Sequence, residues 1–207
     1  MESDIWCPAA ILADLDGTLI DSVASGRRAW SALARRRGLD EEETFRLAMG
    51  RPTRETIALL VPEGERDAEQ ELLDRDEVED AGSVVAYPGA RELLAGQIPI
   101  AVVTSGSTEL ATARLRGAGL GVPEVMVTAD SISTGKPDPE PFLLGARALG
   151  VEPGRCLALE DAPSGISAAL AAGMPVVAFR TSHAGHELSG ATVVLDSLAE
   201  AVARLLR

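Results

Sequence analysis

Lysine is almost absent from this sequence: of 19 basic residues, 18 are arginine, and the single lysine is Lys136. Either that residue is a chance survivor on a turn between Gly135 and Pro137, or its position needs a compact ammonium where a wide planar guanidinium will not fit. Aromatic residues make up only 3% of the chain, and no cluster of arginines is interleaved with them. Together with a net charge of −13, this excludes a nucleic-acid or other polyanion-binding surface. An anionic small substrate would therefore need a local cation. No apolar run approaches the ~20 residues of a membrane span, and "MESDIWCPAA" carries Glu2 and Asp4 where a secretory leader carries positive charge. A cytoplasmic, monomeric protein with neither membrane nor nucleic acid as partner is expected. Cysteine is scarce too. Cys7 and Cys156 share no close-spaced metal pattern and both border apolar segments, so they read as reduced core thiols. Repeats and low-complexity linkers are missing as well.

What is present is a 207-residue chain, 46% apolar and built from Ala, Val, Leu and Ile, enough for one sizeable core with one inserted subdomain. Four short apolar runs end in small or polar residues: "AAILADLDGT", "IPIAVVTSGS", "CLALEDAPSG" and "PVVAFRTS". They read as buried parallel strands. Helical patterns at about 107–118, 139–149 and 163–172 separate them, followed by Gly119, Gly150 and Gly173. The alternation predicts an α/β fold, a doubly wound parallel sheet with a Rossmann-like core, whose ligands sit at the carboxyl ends of the strands. Residues 20–85 break this rhythm with four helical patterns and hold 16 of the 32 acids, mostly on expected solvated faces. The core is thus expected at 1–19 and 86–207, with a small helical cap inserted at 20–85.

The chemistry lies in the strand tails. "DLDGT" places Asp14 and Asp16 two apart at a strand end, which puts both side chains on one face. Two such carboxylates call for a hard divalent cation, and Mg2+ is the usual choice beside phosphate. Gly17 allows a sharp turn, and Thr18 can hold that turn through its hydroxyl. "VVTSGST" offers the hydroxyls of Thr104, Ser105 and Ser107 around Gly106, a set suited to phosphate oxygens or to capping the next helix. Glu160 and Asp161 in "LALEDAPSG" can complete the cation site, and Lys136 stands in the loop between. In the insertion, "GRPTRE" offers Arg51 and Arg54 as groups that could read a hydroxyl or phosphate from above. His183 and His186 in "SHAGHE" read as a solvent loop, since no third soft ligand is near.

These four segments resemble the four motifs of the haloacid dehalogenase superfamily of aspartate-nucleophile hydrolases, over nearly the whole chain. "VVTSGS", "GKPDPEPFLLGA" and "EDAPSGI" are most similar to its sugar-phosphate phosphatase branch, and the insertion resembles its small helical cap. The resemblance implies that Asp14 attacks phosphorus, while Asp16 protonates the leaving alcohol and then activates water. Thr104 and Lys136 would hold the transferring phosphoryl group. Mg2+ would lie on the Asp14 carboxylate, the Asp16 carbonyl and Asp161, with Glu160 a ligand or just behind. The implied activity is a phosphatase of small sugar or polyol phosphates. A sugar phosphomutase of the β-phosphoglucomutase type is the alternative, disfavoured because mutases carry a cap histidine where this chain has Gly26 and often lack the threonine found here as Thr18.

Overall fold

The computed structural model describes residues 4–49, 51 and 53–206. The chain enters through a buried strand, β1 (Ala10–Ala13), turns sharply and forms a two-residue strand, β2 (Ile20–Asp21). Four helices follow: α1 (Val23–Arg37), α2 (Glu41–Ala48), α3 (Thr53–Leu60) and α4 (Arg66–Glu79). Local chemistry sets their ends: the Asp40 carboxylate, for example, accepts from the Glu43 amide at 2.8 Å and starts α2. A second short strand, β3 (Val85–Ala86), pairs antiparallel with β2, so the helical excursion leaves and rejoins the rest across one narrow link.

After this link the chain alternates α5 (Ala90–Leu94), β4 (Ile100–Val103), α6 (Thr108–Gly117), β5 (Val125–Val127) and α7 (Glu140–Leu149). It ends with β6 (Cys156–Glu160), α8 (Pro163–Ala171), β7 (Val176–Phe179), β8 (Val193–Leu195) and α9 (Leu198–Leu205). Six strands form one parallel sheet in the order β5-β4-β1-β6-β7-β8. Along β1, Ile11 and Ala13 pack into one layer with Leu115 and Val202, while Ala10 and Leu12 pack into the other with Phe142 and Ile166. Each large side chain buried there contributes about 1.5–3 kcal/mol.

The fold is therefore the expected doubly wound α/β sheet, with two strands more than the four apolar runs. The added β5 and β8 are three-residue edge strands, too short to stand out as runs. The winding reverses at β1, which is flanked by β4 on one side and β6 on the other, so a crevice opens over the carboxyl ends of these three strands. Cys156 is buried as expected, but Cys7 is exposed, because it lies before β1 begins. Among the described residues no helix is long and apolar enough to cross a membrane.

The inserted helices share their own apolar centre, with Trp30, Leu33, Phe45, Ile57 and Leu73 at its heart. One acid there departs from the solvated-face expectation. Glu69 is only 1% exposed and receives two guanidiniums, Arg36 at 2.8 Å on Oε1 and Arg37 at 2.6 Å on Oε2. Arg36 also reaches Asp76 at 2.6 Å, so α1 and α4 are clamped by charge as well as by packing. Replacing Glu69 by alanine would leave Arg36 with Asp76 and Arg37 with Glu65 but remove two charge-assisted hydrogen bonds at a buried carboxylate, at about 1.5 kcal/mol each, or about 3 kcal/mol together. We expect Glu69→Ala to lower the thermal midpoint by about 6–12 °C, read by calorimetry; a shift under ~2 °C would mean that the clamp contributes little.

Candidate active site

The three strand tails meet at one ammonium. Lys136 approaches from the loop before α7 and places Nζ 2.6 Å from Asp14 Oδ1, 2.6 Å from Glu160 Oε1 and 3.0 Å from the Val103 carbonyl. Those acceptors belong to the tails of β1, β6 and β4 respectively. An ammonium has three donors at tetrahedral angles, and here all three are used on three strands. A guanidinium spreads its five donors in one plane and is wider, so it matches three acceptors gathered around one point in a site only 9% exposed less well.

Glu160 is satisfied on its other side, since Oε2 accepts from the amides of Asp161 at 3.0 Å and Ala162 at 3.2 Å. Its carboxylate fills space that only a glycine leaves free: a Cβ at Gly165 would lie 1.8 Å from Oε1. Asp161 is held in turn by the Ser182 hydroxyl and by Thr18 Oγ1, which donates at 3.3 Å. The Thr18 hydroxyl therefore serves Asp161 rather than its own turn. Gly17, at φ +84°, makes that turn possible, and a Cβ there would fall 2.0 Å from Asp161 Oδ2.

Asp14 and Asp16 both line one cavity, yet they are held differently. β1 ends at Ala13, so strict alternation does not carry through the turn, and the two aspartates take different cations. Asp16 faces Arg114 of α6, whose Nη1 stands 3.0 Å from Oδ1. That approach is close enough for an ion pair but off-line for a hydrogen bond, and Oδ1 has no hydrogen-bond partner among the described residues. Arg114 is itself buried and reaches Glu77 of α4 at 3.0 Å. Nothing above singled out this arginine. Its signal was a charge on the buried stripe of α6, beside Leu110, Ala111 and Leu115.

Over these groups lies a cavity of about 270 Å³, roofed by Trp30, Phe45 and Met49 of the helical insertion. Asp14, Asp16, Thr104, Ser105, Gly106, Lys136, Glu160 and Asp161 all line it. Thr104 is buried, its Oγ1 accepting from the Gly106 amide at 3.1 Å, while Ser105 is exposed at the rim. Ser107 instead caps α6, accepting from Leu110 at 3.2 Å. Arg51 and Arg54 are exposed and do not line the cavity; Gly50 and Pro52 of that stretch lie outside the described residues. His183 is not in a free solvent loop: it lines the cavity, with Nδ1 3.1 Å from the Asp161 carbonyl and 2.7 Å from Ser182 Oγ. His186 is exposed.

Negative charge exceeds positive here. Carboxylate oxygens of Asp14, Glu160 and Asp161 lie within 4.8 Å of one another, and the Asp16 carboxylate is not part of that cluster. Burial pushes the Asp14 carboxyl well above its ordinary range; Lys136 opposes this, and Glu160, Asp161 and Asp16 add to it. Asp161 is pushed up to about 7, again by burial first and then by Glu160. Burial works to lower the Lys136 pKa, but Asp14 and Glu160 outweigh it and raise it. Buried, hard, under-neutralised oxygens are the donor set that suits a small divalent cation such as Mg2+.

A family model described as haloacid dehalogenase-like hydrolase matches residues 8–173. Hexitol phosphatase A of Escherichia coli (strain K12) is 42% identical over 194 residues, covering 90% of this chain and 90% of its own length. Validoxylamine A 7'-phosphate phosphatase of Streptomyces hygroscopicus subsp. limoneus is 39% identical over 199 residues, covering 91% of this chain and 93% of its own. Among solved structures, CbbY from Rhodobacter sphaeroides in complex with xylulose-(1,5)bisphosphate superposes with a TM-score of 0.82 at 28% identity, covering 93% of this chain and 96% of the other.

The raised carboxyl pKa values set a pH dependence that is measurable without turnover. Asp161 ionises near 7 when folded against an ordinary 3.8, so its burial costs stability progressively as pH rises through that window. A bound cation offsets this cost. The gain in thermal midpoint on adding Mg2+ should be small near about pH 5 and grow up to about pH 8, followed by thermal melts across that range. A gain independent of pH would argue against the cluster as the cation site.

Proposed function

This chain is a phosphatase of the haloacid dehalogenase-like hydrolase family, and from that premise we propose that it hydrolyses small sugar or polyol phosphates in two steps through an aspartyl-phosphate, with Mg2+ bound. The observation that carries this is the junction of Lys136, Asp14 and the acidic cluster beneath a small roofed cavity. The names of the relatives, phosphatases of a hexitol phosphate and of validoxylamine A 7'-phosphate, support the substrate class.

Asp14 attacks phosphorus, the bond from phosphorus to the leaving oxygen breaks, and Asp16 gives that oxygen its proton. Water then attacks the aspartyl-phosphate, losing its proton to Asp16, and phosphate and free Asp14 result. One acid/base residue thus serves both displacements. A carboxylate attacks an anionic ester poorly unless the charge is neutralised, and Lys136 and Thr104 hold the phosphoryl oxygens for that purpose. Mg2+ would sit on the Asp14 carboxylate, the Asp16 carbonyl and Asp161, supplying further neutralisation. Glu160 acts from behind, since Lys136 and two amides already take its oxygens.

The phosphomutase alternative has weaker support. Gly26 lines the cavity, and a Cβ there would meet nothing within 4 Å, so the wall offers no acid/base side chain at that point. Two free cysteines, one of them exposed, suit a reducing compartment, and we place the enzyme in the cytoplasm as a monomer.

Asp14→Asn should abolish hydrolysis of p-nitrophenyl phosphate with an unchanged circular dichroism spectrum; retention of more than about a hundredth of the wild-type rate, a loss under ~3 kcal/mol, would remove Asp14 as nucleophile. EDTA should silence the wild type and Mg2+ restore it. Lys136→Arg tests shape against charge. A misplacement of about an ångström costs ~100-fold, so the arginine variant should lose at least that in kcat at saturating Mg2+. Near-wild-type turnover would show that any cation suffices at 136.

A further inference from the structure

We infer that Arg114 is a positioning residue for Asp16: held by Glu77 of α4, its guanidinium fixes the carboxylate that serves the leaving alcohol, and so ties the aim of that carboxylate to the seating of the helical insertion. The inference rests on Asp16 being the acid of the proposed reaction.

Three elements meet at Arg114. It projects from α6, pairs through Nη1 with Asp16 in the turn after β1, and through Nη2 with Glu77 on α4, both at 3.0 Å. Glu77 is mostly buried and Arg114 almost wholly so, at 12% and 7% side-chain exposure. A buried guanidinium with two carboxylates is costly to assemble and severe to break, and it stays where both partners hold it. Among the described residues no other cation pairs with Asp16. Asp14 and Asp16 are thus steered by separate cations, Lys136 for the first and Arg114 for the second.

The far end of α6 shows that the contact with the insertion is tight. A Cβ on Gly117 would fall 2.1 Å from the carbonyl oxygen of Ala81, in the segment that follows α4. That segment is anchored to α1 by Arg28, which donates to Asp80 at 2.6 Å and to Ser83 at 2.6 Å. Displacing α4 from α6 would carry Glu77 away and leave Arg114 held by Asp16 alone. Both terminal nitrogens of Arg114 are engaged by carboxylates, so direct capture of substrate is not what its present contacts serve.

The experiment compares esters that differ in their need for a proton. Glycerol 1-phosphate expels a glycerol oxygen that must be protonated, whereas p-nitrophenyl phosphate expels a stable phenolate. Asp16→Asn should therefore lose far more on the alkyl ester, and Arg114→Met should reproduce that pattern. We expect Arg114→Met to lower kcat on glycerol 1-phosphate about 30-fold or more, at least tenfold beyond its loss on p-nitrophenyl phosphate, with both KM values within about threefold of wild type. Glu77→Gln, which keeps shape and an acceptor, should show the same selectivity more weakly, and keeps the test open if Arg114→Met does not fold. The Asp16→Asn, Arg114→Met double variant should lose no more on the alkyl ester than Asp16→Asn alone. Equal losses on both esters would reduce Arg114 to a structural role, and a raised KM with unchanged kcat would make it a substrate-binding group; either result overturns the inference. If the wild type hydrolysed neither ester, the proposed reaction would fall with it.

Discussion

One ammonium holds the site together. Lys136 touches the tails of all three central strands, one with each of its three N–H bonds. Two carboxylates of the floor are placed by it: Glu160 is held between it and two amides, and Asp14 is kept in register with the β4 tail through the shared nitrogen. Burying such a charge is expensive, and the expense is met by two carboxylates at hydrogen-bond range, not by solvent. The one lysine of the chain thus stands where three acceptors gather around a single point. Arginine serves well on an open or forked contact, and this point is neither.

The same ammonium leaves the site under-neutralised. Three carboxylates crowd within 4.8 Å around a single positive charge, and burial holds Asp14 and Asp161 toward their protonated forms. A bound cation would relieve that repulsion and favour the ionised form of Asp14, which the proposed reaction needs. Asp16 stands outside the cluster with its own guanidinium. Two aspartates separated by one residue are thus given different electrostatic surroundings, which is how neighbouring carboxyls come to play different roles.

How much of this was legible in the sequence depends on the range of the interaction. Buried parallel strands read as apolar runs whatever packs on them, so β1, β4, β6 and β7 and their polar tails stood out, whereas the three-residue β5 and β8 carry too little pattern to register. Lys136 was visible through rarity and its place between motifs. Arg114 and Glu77 were not, because their meaning lies in partners 98 and 37 positions away from Arg114, and a single charge in a helical stripe is easily passed over. Arg51 and Arg54 misled for the converse reason: a guanidinium near a glycine turn looks like a binding group until the fold turns it to solvent. His183 was set aside as a loop residue, yet its loop follows β7, and strand tails on this edge of the sheet point to the cavity.

Placement of the roof follows from the same distinction between local and distant contacts. The insertion is joined to the core by a link of two residues on each side, which by itself constrains orientation weakly. Within the insertion, by contrast, Glu69 and its two arginines join α1 to α4 over a shared apolar centre. A body that is stiff inside and loosely tethered takes its position from whatever surface it rests on. Here that surface is α6, met by backbone at Gly117 and by charge at Arg114. The apolar side chains that roof the cavity and the arginine beside Asp16 therefore share this contact, and in the proposed reaction exclusion of water and alignment of the acid would follow from the same seating of the insertion on the core.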